Sequence, residues 1–206
     1  DAINGVSSRL RKEYKIKKLD ASRTYIESAA SFPNNVEVKH VMTYDAEEPP
    51  ERDQAGTLTL LMNQSMVLLP EDKMLPRLAD ERVGWFTSKK YNYDSEQLKA
   101  DDYRIIRRWK LVPKDIEAYK RGELVEPVKP IIYYLDPATP LKWRPYFKQG
   151  IEDWNKAFEV AGFKNAVIAK DPPTKEEDPE FSPEDVRYSV IRYVASTTRN
   201  AVGPSV

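Results

Sequence analysis

Strict alternation of apolar and polar positions sets in at Val36. Val36, Val38, His40, Met42 and Tyr44 share one parity class, and Glu37, Lys39 and Thr43 share the other. Successive side chains of a strand point to opposite faces, so this pattern predicts a strand with one buried face. A second strand is expected from Leu58, Leu60, Met62, Met66 and Leu68, with a bulge or turn where Asn63-Gln64-Ser65 interrupts the series and an end at Leu69-Pro70. The link between them, Asp45 to Gln54, holds turn formers and charges with almost nothing to bury and reads as exposed. Upstream, Asp1 to Leu19 is polar and Lys/Arg-dense, an arm or an edge strand. Asp20 stands where a helix N-cap would, followed by Tyr25, Ile26 and Ala29 on a helical spacing until Phe32-Pro33, which predicts a short helix.

After a Pro- and charge-rich stretch come Arg82-Val83-Gly84-Trp85-Phe86 and then Tyr103 to Leu111, a strand candidate with interleaved charges. Pro113 to Pro130 changes the composition and marks a boundary between modules. Beyond it, Ile131-Ile132-Tyr133-Tyr134-Leu135 is a continuous apolar run of buried-strand length, closed by Asp136-Pro137. A helix is expected from near Leu141, its core stripe formed by Phe147, Ile151, Trp154 and Phe158, with Gly162 as a left-handed C-cap. Ala166-Val167-Ile168-Ala169 follows as a strand, which makes a βαβ unit with parallel strands. Val186 to Val194 supplies a third strand of the same sheet. The expected class is α+β, a mainly β region over 1–125 followed by a smaller α/β region with a mixed sheet over 126–206.

Composition narrows the chemistry. The chain has 206 residues, no cysteine, a single histidine, and 33 basic against 33 acidic residues. Without Cys there is no disulfide scaffold, thiol nucleophile or thiolate metal site, and His40 alone cannot build a zinc site of two or three imidazoles. A neutral balance argues against a dedicated nucleic-acid binder. No apolar run approaches the ~20 residues of a membrane helix. The start at Asp1 and the end at Gly203-Pro204-Ser205-Val206, with no polar tail, suggest a processed or excised piece that stops mid-domain.

Several features invite a functional reading and a plainer one. His40 on the apolar side of a strand reads as a core or edge residue, because bases and ligands come in constellations. The loop with Glu176, Glu177, Asp178, Glu180, Glu184 and Asp185 has enough oxygens for calcium but lacks the Asp-x-Asn/Asp-x-Asn/Asp-Gly order that wraps the ion, so it reads as solvated. Arg107-Arg108-Trp109-Lys110 reads as a strand with solvated charges rather than a nucleic-acid face. No Gly-rich phosphate loop, nucleophile elbow, heptad array or repeat is present, and no pair of carboxylates can be singled out for acid–base work.

A longer pattern is more specific. Pro127 to Asp136, Trp143-Arg144, Gly150 to Phe163, Val186 to Arg192 and Asn200 to Val206 together closely resemble a bacterial family of exported zinc-dependent, metzincin-like metallopeptidases. Ser22 to Glu27, Phe32 to Val38, Leu69-Pro70, Pro76-Arg77, Arg82 to Phe86 and Arg108 to Leu111 resemble the non-catalytic region that precedes the peptidase domain in that family.

The resemblance implies a metzincin-like half-domain of strand–helix–strand–strand over 126–206, incomplete here, and a prodomain-like accessory region over 1–125. Gly203, Pro204, Ser205 and Val206 would then enter the edge strand along which substrate lies, pairing with it through main-chain hydrogen bonds. The resemblance also implies zinc in the parent enzyme, export to the periplasm, outer membrane or exterior, a protein or peptide substrate, and the remainder of the peptidase domain as partner. The chain contains no His-Glu-x-x-His, so zinc ligands would lie beyond Val206 and no catalytic residue falls within it. The expectation is a portion of a zinc-dependent metalloendopeptidase, inactive alone. The alternative is a non-enzymatic binding or propeptide-like scaffolding module. A cofactor-free carboxylate hydrolase has no motif to support it.

Overall fold

Eleven consecutive residue pairs, from Asn35↔Val67 to Asp45↔Thr57, join strand β3 (Asn35–Ala46) to β4 (Thr57–Val67) in one unbroken antiparallel register. This computed structural model describes residues 6–50, 56–194 and 201. The fold class is α+β, with strands predominating over short helices. The chain divides into two units: Asp1–Leu69 with Glu184–Arg187, and Pro70–Pro183 with Tyr188–Val206.

In the first unit β3 is central. β4 occupies the whole of one edge, while β1 (Ile16–Leu19) and β2 (Tyr25–Ser31) share the other, β2 against Val36–Val41 and β1 against Tyr44–Ala46. The edge strand expected within Asp1–Leu19 is therefore present, preceded by helix α1 (Ser8–Glu13), whose first turn is capped by the Ser7 hydroxyl.

The helix expected after Asp20 is not. Asp20 caps only a single 3₁₀ turn at Ala21–Arg23, and Tyr25–Ser31 continues as strand. Tyr25 and Ile26 are good strand formers, and β3 offers them a backbone ladder. Thr24 and Thr43 fasten the entry: Thr24 Oγ1 accepts from Thr43 N–H at 3.2 Å, and Thr43 Oγ1 donates to Arg23 O at 3.0 Å.

The bulge expected at Asn63-Gln64-Ser65 is also absent, since these residues lie in register opposite Lys39, Val38 and Glu37. The single buried face is corrected too. Tyr44 and Leu58 are buried on the apolar side, but Val36, Val38, His40 and Met42 are only half-covered, whereas Asn35, Glu37 and Thr43 on the polar side are buried.

The second unit opens with an antiparallel ribbon of β5 (Thr87–Asn92) and β6 (Asp101–Ile106). β5 was not foreseen, and β6 ends at Ile106, so Arg107 to Leu111 is not strand. A short helix, α2 (Ile116–Lys120), sits within the Pro-rich link, where Asp115 caps it by accepting from Glu117 and Ala118 N–H. Then β7 (Ile131–Leu135) is flanked by β8 (Val167–Lys170) and β9 (Ser189–Ile191), all parallel, in the order β8-β7-β9. This is the expected βαβ unit plus third strand, although β9 is three residues long and Val186 and Arg187 belong to the first unit.

The connecting helix is two pieces, α3 (Arg144–Glu152) and α4 (Asn155–Val160). The backbone tightens between them, with Trp154, Lys156 and Ala157 N–H each bonding the carbonyl three residues back. That twist breaks the expected stripe. Ile151 is buried and Phe158 half-buried, but Phe147 is partly exposed and Trp154 is 66% exposed. The core is Ala118, Val125, Ile131, Leu135, Ile151, Phe163, Ala166 and Val167. Gly162 is the left-handed cap expected, at φ 90°, and a Cβ there would stand 2.7 Å from the Tyr119 ring.

Candidate functional site

In a parallel sheet the strands' carboxyl ends are where ligands bind. β7 is the central strand, with β8 on one side and β9 on the other. Its carboxyl end is the buried Asp136, whose N–H donates to Ile191 O at 3.0 Å and whose Oδ1 accepts from Ala138 N–H at 2.8 Å. Arg192, one residue past β9, pairs with Asp136 Oδ2 through Nε at 2.7 Å. Arg144, at the start of α3, donates to Pro137 O and Thr139 O, and both Arg144 and Lys148 reach Asp171, which follows β8.

On the same side of the sheet, the helix entrance carries Trp143, Tyr146 and Phe147, which with Tyr193 line a hollow of about 360 Å³. The rings of Trp143 and Tyr146 lie 6.1 Å apart, and Lys142 Nζ stands 5.1 Å over Trp143. The walls of the hollow are aromatic, and the buried carboxylate of Asp136 beside it is held in an ion pair with Arg192. The signal in the sequence was Asp136-Pro137 directly after the apolar run, together with aromatics at the helix start; their meeting required the parallel order.

The first unit holds a buried polar lock that sequence reasoning missed. Glu37 is 7% exposed and accepts from Asn35 Nδ2 at 2.7 Å, Asn63 Nδ2 at 2.7 Å and Ser65 Oγ at 2.5 Å. Burial pushes its carboxyl up, but the bonds from Ser65, Asn63 and Asn35, with Lys39 nearby, outweigh it and hold the group below the usual carboxylate range. Asn35 also donates to Glu184 O at 2.9 Å and accepts from Val186 N–H at 3.0 Å, and Lys39 pairs with Glu184. A side-chain amide here takes the place of a neighbouring strand. Asp185, 1% exposed, is raised by burial and lowered more by Arg187, whose Nη2 and Nε donate to Oδ2 at 2.7 and 2.9 Å. Asn63-Gln64-Ser65 within an apolar series was the available clue.

The acidic loop is thus partly structural. Glu184 and Asp185 are engaged as described, Asp178 accepts from Tyr188 Oη at 2.6 Å, and Glu177 accepts from Thr174 N–H at 2.8 Å. Among the described residues no group of three His, Cys, Asp or Glu side chains could hold a metal ion. His40 is the only histidine of the chain, so the residues present do not fit a catalytic zinc. His40 itself sits half-buried in β3 opposite Met62 and Ile26. The basic cluster after β6 is tied locally: Arg107 to Ser88 Oγ, Arg108 to Leu75 O, Lys110 to Asp72, and Trp109 edge-on to Tyr133 at 6.2 Å. Gly203, Pro204, Ser205 and Val206, expected at a substrate edge, lie outside the described residues. Among the described residues, no helix is long and apolar enough to cross a membrane.

Compared with known proteins, the chain matches no curated protein and no solved structure. A family described as a domain of unknown function, DUF5117, matches residues 1–114, which takes in the antiparallel sheet, Glu37 with its partners Asn35, Asn63 and Ser65, and the β5–β6 ribbon. More than half of the 206 residues fall within that match, and on that ground the chain belongs to the DUF5117 family.

Proposed function

We propose that the chain contributes an accessory antiparallel sheet and the opening strands of a peptidase sheet to an exported zinc-dependent metalloendopeptidase, and that alone it cleaves no peptide bond. The observation that carries this reading is one of order. The stretches that resemble that peptidase family, Pro127 to Asp136 and Gly150 to Phe163, fall on β7 and on α3 with α4, and Val186 to Arg192 runs into β9, the third strand of the same parallel sheet. Since the residues present do not suit zinc, the metal's ligands belong to the remainder of the peptidase domain. Protein or peptide substrate would meet this chain at most along an edge.

The test compares the protein with its parent gene product. The parent is expected to carry His-Glu-x-x-His within about a hundred residues of Val206, the scale of one domain. It should also purify with zinc and hydrolyse casein until chelated, while the 206-residue protein does neither. A parent without the motif, or with chelator-insensitive proteolysis, overturns the reading.

A second reading, a non-enzymatic binding or propeptide-like scaffolding module, draws on the family match, which ends at residue 114 and so defines a domain without β7, β8 and β9. It expects a soluble, cooperatively unfolding protein that retains a partner on an affinity column when the peptidase segments are absent. Aggregation with strong binding of a hydrophobic dye would count against it.

A further inference from the structure

The two edges of the first unit's sheet are built by opposite rules. A free strand edge is a template for pairing, and proteins guard it with short length, charge, proline or a bulge. The edge shared by β1 and β2 has all four. β1 is four residues with Lys17 and Lys18, and β2 slips register between Ile26 and Ser28 with Glu27 at the irregularity, then runs into Pro33. β4 has none of them. From Thr57 to Val67 it holds no charged residue, no proline and no glycine, its ladder to β3 is unbroken, and among the described residues it pairs with β3 alone. Leu61 is 67% exposed and Met66 52%, in a strand of twice the ordinary length.

We propose that the free edge of β4 is a homodimer interface, taken by β4 of a second copy running antiparallel about a two-fold axis at Met62. Met62 is the midpoint of the strand, so this register uses it end to end, Thr57 opposite Val67. A two-fold axis normal to the sheet keeps each residue on its own face, and directly opposite residues must then share parity. Leu58 then meets Met66 and Met62 meets Met62 on the apolar face, and Thr59 meets Ser65 on the polar face, while Leu60 falls opposite Gln64 and Leu61 opposite Asn63. A charge at or next to the axis would meet its own copy on self-pairing, and β4 carries no charge at any position. The pairing consumes both β4 edges, so assembly stops at two copies, and it is independent of whether the chain serves a peptidase.

Analytical ultracentrifugation of the protein over a concentration series tests this. The expected result is a reversible monomer–dimer equilibrium. Leu61→Lys and Leu61→Glu, at an exposed position, each place like charges on diagonal neighbours across the axis and should raise the dimer dissociation constant about tenfold or more. An equimolar mixture of the two variants should recover dimer, which a misfolded variant could not do. Ser31→Lys on the guarded edge should leave the equilibrium unchanged. A wild-type protein monomeric at every concentration, open-ended oligomers, no recovery in the mixture, or equal loss with Ser31→Lys would each overturn the proposal.

Discussion

Asn35 in the antiparallel sheet and Asn155 at the head of α4 solve the same problem in different surroundings. Asn35 stands in for a strand beside Glu184 and Val186, and Asn155 does so for Val167, donating to its carbonyl at 2.8 Å and accepting from its N–H at 3.0 Å. Around Asn155 lies an apolar core with Leu135 fully buried, and around Asn35 lie Glu37, Asn63, Ser65 and Lys39. The parallel sheet therefore rests on transfer of apolar surface out of water, which is indifferent to partner identity. The antiparallel sheet's covered face rests on matched donors and acceptors, whose net gain is small but whose disruption costs a full desolvation. The first tolerates exchange of one hydrocarbon for another; the second tolerates almost none.

That contrast can be broken from either side. Leu135→Ala should have the largest effect, about 3 kcal/mol or more of lost stability in urea unfolding, because the parallel sheet's core cannot collapse around the cavity. Gly162→Ala should cost about 2 kcal/mol, since the position needs positive φ and the added methyl would meet the Tyr119 ring. Asn35→Ala and Asn155→Ala should each cost about 1–2 kcal/mol, with hydrogen exchange quickening at the Val186 and Val167 amides respectively. If exchange stays slow in either variant, that asparagine does not replace a strand.

The pH dependence sharpens the comparison. A carboxyl held low in the folded state contributes stability that is present above its unfolded value and lost as pH falls through the folded one. The urea midpoint should therefore drop on acidification from about pH 5 downward. Glu37→Gln should be weaker at neutral pH by about 1–2 kcal/mol and decline less steeply, because its mispaired amide no longer titrates. A parallel decline in both proteins would remove Glu37 from the account. The smallest effect is expected at the solvent-exposed Lys89–Asp102 pair of the β5–β6 ribbon, where Asp102→Ala should change stability by less than about 0.5 kcal/mol.

Much of the parallel region was legible in the sequence because its signals are local. Ile131 to Leu135 is apolar at every position, as a strand covered on both faces must be, and Gly162 marks the end of its helix by conformational need. The antiparallel region was legible in its alternation but not in its polarity. Alternation says which residues share a face; it does not say which face is covered. The segment that covers Asn35 and Glu37 lies some 150 residues further along. Tyr25 to Ser31 fits a helical spacing as well as a strand's, and only the ladder offered by β3 decided between them. At the candidate site, Asp136, Arg192 and Trp143 each look ordinary alone.

By itself, the amino-acid order determined the strands β3, β4 and β7, the βαβ succession, the left-handed cap at Gly162 and the lack of a histidine cluster within the chain. These follow from side-chain period, backbone sterics and composition, all of which act within a few residues. Tertiary structure alone decided that Glu37 is a buried anion, that α3 and α4 part at Trp154, that Asp136 meets Arg192, and that among the described residues β4 pairs with β3 alone. Each depends on which distant group supplies a hydrogen bond, a charge or a covering surface, and proximity of that kind exists only once the chain has folded.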